Sequence, residues 1–280
     1  MTKVVVTGSG GQLGSALATV FDAPHVELFA LDRAALDLTS RDQVLACVGE
    51  LRPAIIVNSA AWTAVDACEA DPDRAFATNA LGVRHVADAA RRFGAHLVHI
   101  STDYVFDGTA TTPYREWDAT NPQSVYGRSK LAGEHEAGPS ATIVRTGWLN
   151  GAGGSNFITT MLRLARERDR LTVVADQTGC PTFADDLAQT VRRLAVDRRP
   201  GIHHVTNQGQ TTWFELAKAV VTRAGLDPGM VEPTTTEEYG AAAPRPAYSV
   251  LDNAALRAEQ LPLLPPWQDS LDRLLVEVGL

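Results

Sequence analysis

Through the first half of the chain, short β-branched apolar runs alternate with longer segments whose apolar residues recur at helical spacing. The runs are Val4 to Thr7, Val26 to Leu31, Ala54 to Val57 and His96 to Ile100; helical patterns cover Gln12 to Phe21, Arg41 to Leu51 and Pro72 to Phe93. This alternation predicts right-handed βαβ units and a parallel sheet. After Ile143 to Arg145 the regularity loosens into a Gly-rich stretch, Gly151 to Gly154, and helical patterns over Phe157 to Arg168, Asp185 to Leu194 and Thr212 to Arg223. Pro-rich segments follow at Ala241 to Pro246 and Leu261 to Pro266. The pattern therefore predicts an α/β fold, a doubly wound parallel sheet mostly complete by about residue 150, with a smaller mixed C-terminal lobe reaching over the carboxyl ends of the strands.

Bulk composition narrows the function. With 280 residues, 45% hydrophobic, 21% charged and a formal charge of -8, the chain is an ordinary globular composition and not a duplex nucleic-acid binder. The N-terminus runs directly into Lys3-Val4-Val5-Val6-Thr7, and no apolar run approaches the ~20 residues of a membrane span. A cytoplasmic location is expected. Cys47, Cys68 and Cys180 are far apart and lack metal-ligand spacing, so they read as small buried hydrophobes. His203 and His204 are adjacent within a strand pattern and point to opposite faces, an unsuitable pair for one metal ion. No metal site is expected.

Between the first strand and the first helix lies Thr7-Gly8-Ser9-Gly10-Gly11-Gln12-Leu13-Gly14. Gly8, Gly11 and Gly14 fit G-x-x-G-x-x-G, whereas a G-x-G-x-x-G reading from Gly8 fails at Leu13. Glycines in such a turn let backbone N–H groups approach a pyrophosphate at the helix N-terminus, the Rossmann-type arrangement. Asp32 closes the second strand about 20 residues on, where a carboxylate holds adenosine ribose hydroxyls. Arg33 beside it suits a 2′-phosphate instead, so NADH and NADPH both stay open, and Asp37-Leu38 is placed to frame the adenine. Residues 1–150 then form a dinucleotide-binding domain, and residues 151–280 a mainly substrate-binding lobe with segments returning to the first domain.

Tyr126 and Lys130 are four apart on a helical segment after Asn121-Pro122, so both project from one face. A nearby ammonium and a cationic nicotinamide favour the phenolate and suit Tyr126 to acid-base work. Thr102, at the end of the fourth strand and 24 residues upstream of Tyr126, is placed to hydrogen-bond the same substrate oxygen. This is equipment for moving hydride to or from a carbonyl.

These residues resemble those of the extended short-chain dehydrogenase/reductase family. Within it, Ser101-Thr102-Asp103-Tyr104-Val105-Phe106-Asp107-Gly108, Pro113-Tyr114 with Glu116, and Tyr126-Gly127-x-Ser129-Lys130-Leu131-Ala132-Gly133-Glu134 are similar to the dTDP-4-dehydrorhamnose reductases. Further similar stretches include Asn58-x-Ala60-Ala61-x-Thr63-x-Val65-Asp66, Arg145-Thr146-x-Trp148 and Arg245-Pro246-x-x-Ser249. The resemblance implies reduction, by NADPH or NADH, of the C4 ketone of a dTDP-4-keto-6-deoxy-L-hexose to dTDP-L-rhamnose or a close deoxysugar. It implies a cofactor lining of Gly8, Gly11, Gln12, Leu13, Asp32, Arg33, Asp37, Leu38, Ala60, Ala61, Trp62 and Thr63 with Tyr126 and Lys130. For the sugar nucleotide it implies Val65, Thr102, Asp103, Tyr104, Tyr126, Trp148 and Arg245, the guanidinium of Arg245 suiting a diphosphate. It leaves room for a homodimer.

Asn150, where the family often has an aromatic residue, and Cys180, where it commonly has Ser, depart from the pattern and bear on the identity of the hexose. Three alternatives remain at this point: another nucleotide-sugar 4-ketoreductase, a nucleotide-sugar epimerase, and a non-catalytic dinucleotide-binding regulatory protein. Epimerases usually carry a longer substrate lobe, and a non-catalytic protein has no need to keep Thr102, Tyr126 and Lys130 together.

Overall fold

The computed structural model describes residues 1–280. Six strands form one sheet: β1 (Thr2–Thr7), β2 (Val26–Leu31), β3 (Ile55–Asn58), β4 (His96–Thr102), β5 (Thr142–Thr146) and β6 (Gly201–His204). Their spatial order is β6-β5-β4-β3-β1-β2, and every neighbouring pair is parallel. The order reverses between β1 and β3, so a crevice opens there beyond the carboxyl ends of the strands.

Alternation of side chains along each strand builds the two covering layers. Val4, Val6, Ile55, Val57, Val98 and Val144 face helices Gln12–Phe21 and Ala184–Val196. Their neighbours Val5, Ile56, Leu97 and Ile143 face helices Arg41–Leu51 and Gly82–Phe93. Burial on both faces is why β3 reads as an unbroken apolar run, as a central parallel strand does.

The helices after β3 and the membership of the sheet differ from the expected pattern. The helix expected over Pro72 to Phe93 is Pro72–Phe76, a π-helical turn over Ala77–Leu81, then Gly82–Phe93, and a separate helix Val65–Ala70 precedes it. Asp71 ends one helix and caps the next through its side chain, with Pro72 at the first helical position, where a missing N–H costs nothing. The sheet also gains β6 after residue 150, beside β5.

The remaining chain has its own core. Helices Phe157–Glu167, Trp213–Arg223 and Trp267–Glu277 pack with the paired strands Leu171–Val174 and Val231–Thr234 around Ile158, Leu216, Val220 and Leu271. Chain after residue 150 thus contributes both to this lobe and to the main sheet. No helix is long and apolar enough to cross a membrane.

Candidate active site

Gly8 follows β1 with φ +72°, and a Cβ there would stand 2.7 Å from the backbone of Ala60. A Cβ at Gly14 would stand 2.1 Å from the Gly8 carbonyl oxygen. The turn therefore lies hard against the loop after β3, and the first helix hard against the turn. Gly11 is the N-cap and no side chain caps this helix, which has no acidic residue in its first turn. Its free N–H groups and positive dipole end suit an anion, so the cradle fits a dinucleotide pyrophosphate.

Asp32 and Arg33 follow β2 beside this turn. Asp32 Oδ1 accepts the Ala35 amide at 2.9 Å, and a Cβ added at Gly10 would stand 3.9 Å from Asp32 Cβ. Asp37 accepts the amide and hydroxyl of Thr39, which hold its carboxyl below the usual range. Leu38 is buried against Gly82.

The loop carrying Ala60, Ala61, Trp62 and Thr63 is fixed by Asn79 in the π-helical turn. Asn79 Oδ1 accepts the Trp62 amide at 2.8 Å; its Nδ2 donates to the Trp62 carbonyl at 3.1 Å and to Ser129 Oγ at 3.0 Å. The wide turn thereby ties this loop to the helix Val125–Ala137, a use of π-turns common near functional sites. Asn79 was not among the residues the sequence pointed to, because its partners lie far from it along the chain.

Tyr126 and Lys130 occupy that helix, whose Ser124 cap accepts the Gly127 amide at 3.1 Å. A Cβ at Gly127 would stand 2.3 Å from the Tyr104 carbonyl oxygen, so the helix seats directly on the segment after β4. Thr102, Tyr126 and Lys130 are all buried, and Thr102 lies beside the Tyr126 phenol. Burial pushes the Tyr126 phenol well above its usual range; a hydrogen bond with Thr102 opposes this and Asp103 adds to it. The phenol is thus held in its protonated form, the one able to give a proton. Lys130 does not supply the direct lowering expected of it: its Nζ donates to the Ile100 carbonyl at 2.6 Å and lies 3.4 Å from His99 Nε2. Burial lowers its ammonium to about 8, with Glu134 opposing.

Asp103 accepts the Thr102 hydroxyl at 2.9 Å on Oδ1, while its buried Oδ2 has no partner. Burial raises its carboxyl to about 6, with the neighbouring Ser249 and Thr102 hydroxyls opposing. A carboxyl whose folded value lies above its unfolded 3.8 contributes stability that is complete below that value and is lost as pH rises through about 6. The loss is on the order of 2–3 kcal/mol. Asp103→Asn should therefore lessen the fall in Tm between pH 4.5 and pH 8, and parallel Tm curves for the two proteins would contradict this.

Trp148 adopts φ +49° and stacks on Trp213 at 3.5 Å, with planes 6° apart. The indole also packs against Gly179, where a Cβ would stand 2.4 Å from it. Trp213 escaped the sequence reading, since nothing local in Thr212-Trp213-Phe214 marks a partner 65 residues earlier. Asn150 Nδ2 donates to the Trp148 carbonyl at 2.7 Å, and Cys180 is buried nearby, its thiol pushed up by burial to about 11. Tyr104 meets Tyr126 edge to face at 5.5 Å.

Arg245 is brought over the same end of the sheet, but its fork is engaged: Nη1 and Nη2 donate to Asp66 at 2.8 and 2.7 Å. Asp66 also accepts the Ala243 amide, fastening this segment to the helix that begins at Val65. Of the other groups, His203 Nε2 meets Glu259 while His204 Nδ1 meets the Tyr114 carbonyl. Cys68 and Cys180 are buried free thiols and Cys47 is partly buried.

A parallel sheet, a glycine cradle at its switch point and a buried Thr, Tyr and Lys at the end of β4 define an oxidoreductase of the short-chain dehydrogenase/reductase class. A family model described as the RmlD substrate binding domain matches residues 1–279. The chain is 45% identical over 276 residues to a dTDP-4-dehydrorhamnose reductase of Streptomyces griseus, covering 95% of this chain and 91% of that one. It is 44% identical over 281 residues to the spore coat polysaccharide biosynthesis protein SpsK of Bacillus subtilis, covering 99% and 98%. The crystal structure of a dTDP-4-dehydrorhamnose reductase of Bacillus anthracis in complex with NADP matches with TM-score 0.95 at 41% identity, covering 99% and 100%. The chain belongs to the RmlD substrate-binding-domain family, that of the dTDP-4-dehydrorhamnose reductases.

Proposed function

We propose that this protein uses NADPH or NADH to reduce the C4 ketone of a dTDP-4-keto-6-deoxy-L-hexose, giving dTDP-L-rhamnose or a close deoxysugar. The observation that carries this reading is buried Thr102 beside the buried Tyr126 phenol, with Lys130 one turn further along the same helix and an uncapped glycine turn after β1. The dinucleotide, when bound, supplies the hydride. Thr102, whose hydroxyl is donated to Asp103 Oδ1 at 2.9 Å here, would turn that O–H to the ketone oxygen and orient it, and Tyr126 holds the proton that this oxygen takes as it becomes a hydroxyl. Lys130, anchored on the Ile100 carbonyl, keeps a positive charge near the phenolate left behind, which solvent then reprotonates.

The first helix and Gly8, Gly11, Gln12 and Leu13 would hold the pyrophosphate. Asp32, Arg33, Asp37 and Leu38 would hold the adenosine, and Ala60, Ala61, Trp62 and Thr63 the central part. Val65, Asp103, Tyr104 and Trp148 would line the sugar nucleotide. Arg245 would meet the diphosphate only by sharing its guanidinium with Asp66. This assigns residues 1–150 mainly to the dinucleotide and 151–280 mainly to the sugar, in a cytoplasmic enzyme able to form a homodimer.

The Asp32 assignment has its own test. Removing the carboxylate should favour the cofactor with a 2′-phosphate, so in Asp32→Ala the kcat/KM ratio of NADPH to NADH should rise by about tenfold. An unchanged ratio would place the discrimination elsewhere. The reaction itself is tested by following NAD(P)H oxidation with the enzymatically generated ketosugar.

A further inference from the structure

Behind Lys130 runs a line of buried polar groups that the reaction described above does not use. Lys130 Nζ lies 3.4 Å from His99 Nε2, His99 Nδ1 lies 3.2 Å from Asn58 Nδ2, and Asn58 Oδ1 accepts the Thr7 hydroxyl at 2.7 Å. Thr7, Asn58, His99 and Lys130 are each no more than 2% exposed. The line joins the end of β1, at the glycine turn, to the lysine through three neighbouring strands.

Donor and acceptor roles along this line follow from the chemistry of each group. An amide nitrogen can only donate, so His99 Nδ1 must accept and carry no proton. A neutral ring then bears its proton on Nε2, facing Lys130. An ammonium has no lone pair to receive that N–H, whereas an amine has one. Burial, with the nearby Lys130, holds the His99 imidazolium well below its usual range, so the ring is neutral.

Of the other titratable groups around the helix, Glu134 favours the Lys130 ammonium, opposing burial. Glu134 is taken by Arg145 and Ser101, Glu69 accepts the Val125 amide and Arg84 pairs with Glu136 at the surface. Arg74 covers the Trp62 ring. Asp103, Tyr104 and Cys68 act on Tyr126.

We propose that His99, locked by Asn58 as the Nε2–H tautomer, is a positioning residue that turns its N–H toward Lys130, whose anchor is the Ile100 carbonyl, and so lowers the pH at which the ammonium gives up its proton. As a statement about catalysis this rests on the reductase reading; as a statement about His99 it does not. Long-range ¹⁵N correlation spectra of histidine-labelled protein test the second directly. The ring whose signals vanish in both His99→Asn and His99→Gln should be neutral and Nε2-protonated from pH 5.5 to 9. An Nδ1–H form, or titration in the ordinary histidine range, would overturn the proposal.

The pH dependence of kcat tests the first. Turnover needs the protons on Tyr126 and Lys130, so the basic limb reports their loss. His99→Leu and His99→Asn lose the N–H facing Lys130 and should move that limb upward by roughly half a pH unit or more. His99→Gln places an amide where Nε2 was and should stay close to the original protein. An unmoved or lowered limb in the Leu and Asn variants, with Tm retained, would overturn the proposal while leaving the reductase reading intact. Absence of turnover in the unaltered protein would instead remove the reductase reading, and the tautomer would still decide the role of His99.

Discussion

Tyr126→Phe is expected to retain dinucleotide binding while kcat falls by about two orders of magnitude or more, the scale of losing a general acid. The ring sits buried against Tyr104 and Thr102, so the change removes one oxygen and leaves the packing. The effect should fall on kcat and kcat/KM together, since the proton moves only as hydride arrives. Dinucleotide fluorescence titration checks the retained binding and steady-state kinetics the loss. Near-normal turnover would transfer the proton to another group, with Asp103 a titratable neighbour.

The second large effect concerns stability. Glu134 and Arg145 form a two-pronged ion pair, Nε to Oε1 at 2.9 Å and Nη2 to Oε2 at 2.7 Å, with side chains 4% and 3% exposed. Ser101 donates to the same carboxylate, so the pair fastens the helix bearing Tyr126 and Lys130 to β4 and β5. Glu134→Ala would leave a guanidinium buried without its partner, at a cost of about 3–5 kcal/mol. For a chain of this length that corresponds to a fall in Tm of roughly 10 °C. Because the penalty lies in the orphaned charge, Glu134→Leu combined with Arg145→Leu should recover much of the loss. A single variant that melts with the original protein would show that the pair contributes little.

The first half of the fold was legible because burial on both sheet faces forces apolar strands, and surface helices force a 3.6-residue period. Gln12–Phe21, Val26–Leu31 and Arg41–Leu51 appear with the boundaries their patterns imply. The π-helical turn at Ala77–Leu81 was invisible, since Ala-Thr-Asn-Ala-Leu suits an unbroken helix and only the long-range bonds of Asn79 favour the wider turn. β6 was missed as a member of the sheet because Gly-Ile-His-His lacks an apolar run; each of its histidines instead engages one ring nitrogen, His203 with Glu259 and His204 with the Tyr114 carbonyl. At the site, Thr102, Tyr126 and Lys130 were marked by spacing alone. Trp213 on Trp148, Asp66 on Arg245 and His99 behind Lys130 arise from tertiary contact, which local sequence does not encode.

The central claim is tested most directly by NAD(P)H oxidation with the purified protein, the 4-keto sugar being generated from dTDP-glucose by a dehydratase and a 3,5-epimerase, with the epimerase omitted in a parallel run. The account predicts oxidation only with the epimerase present and dTDP-L-rhamnose, or a close L-deoxysugar, as product. Oxidation without the epimerase would contradict the L-hexose substrate and point to a D-configured ketosugar, while silence in both runs with intact dinucleotide binding would contradict the reductase itself.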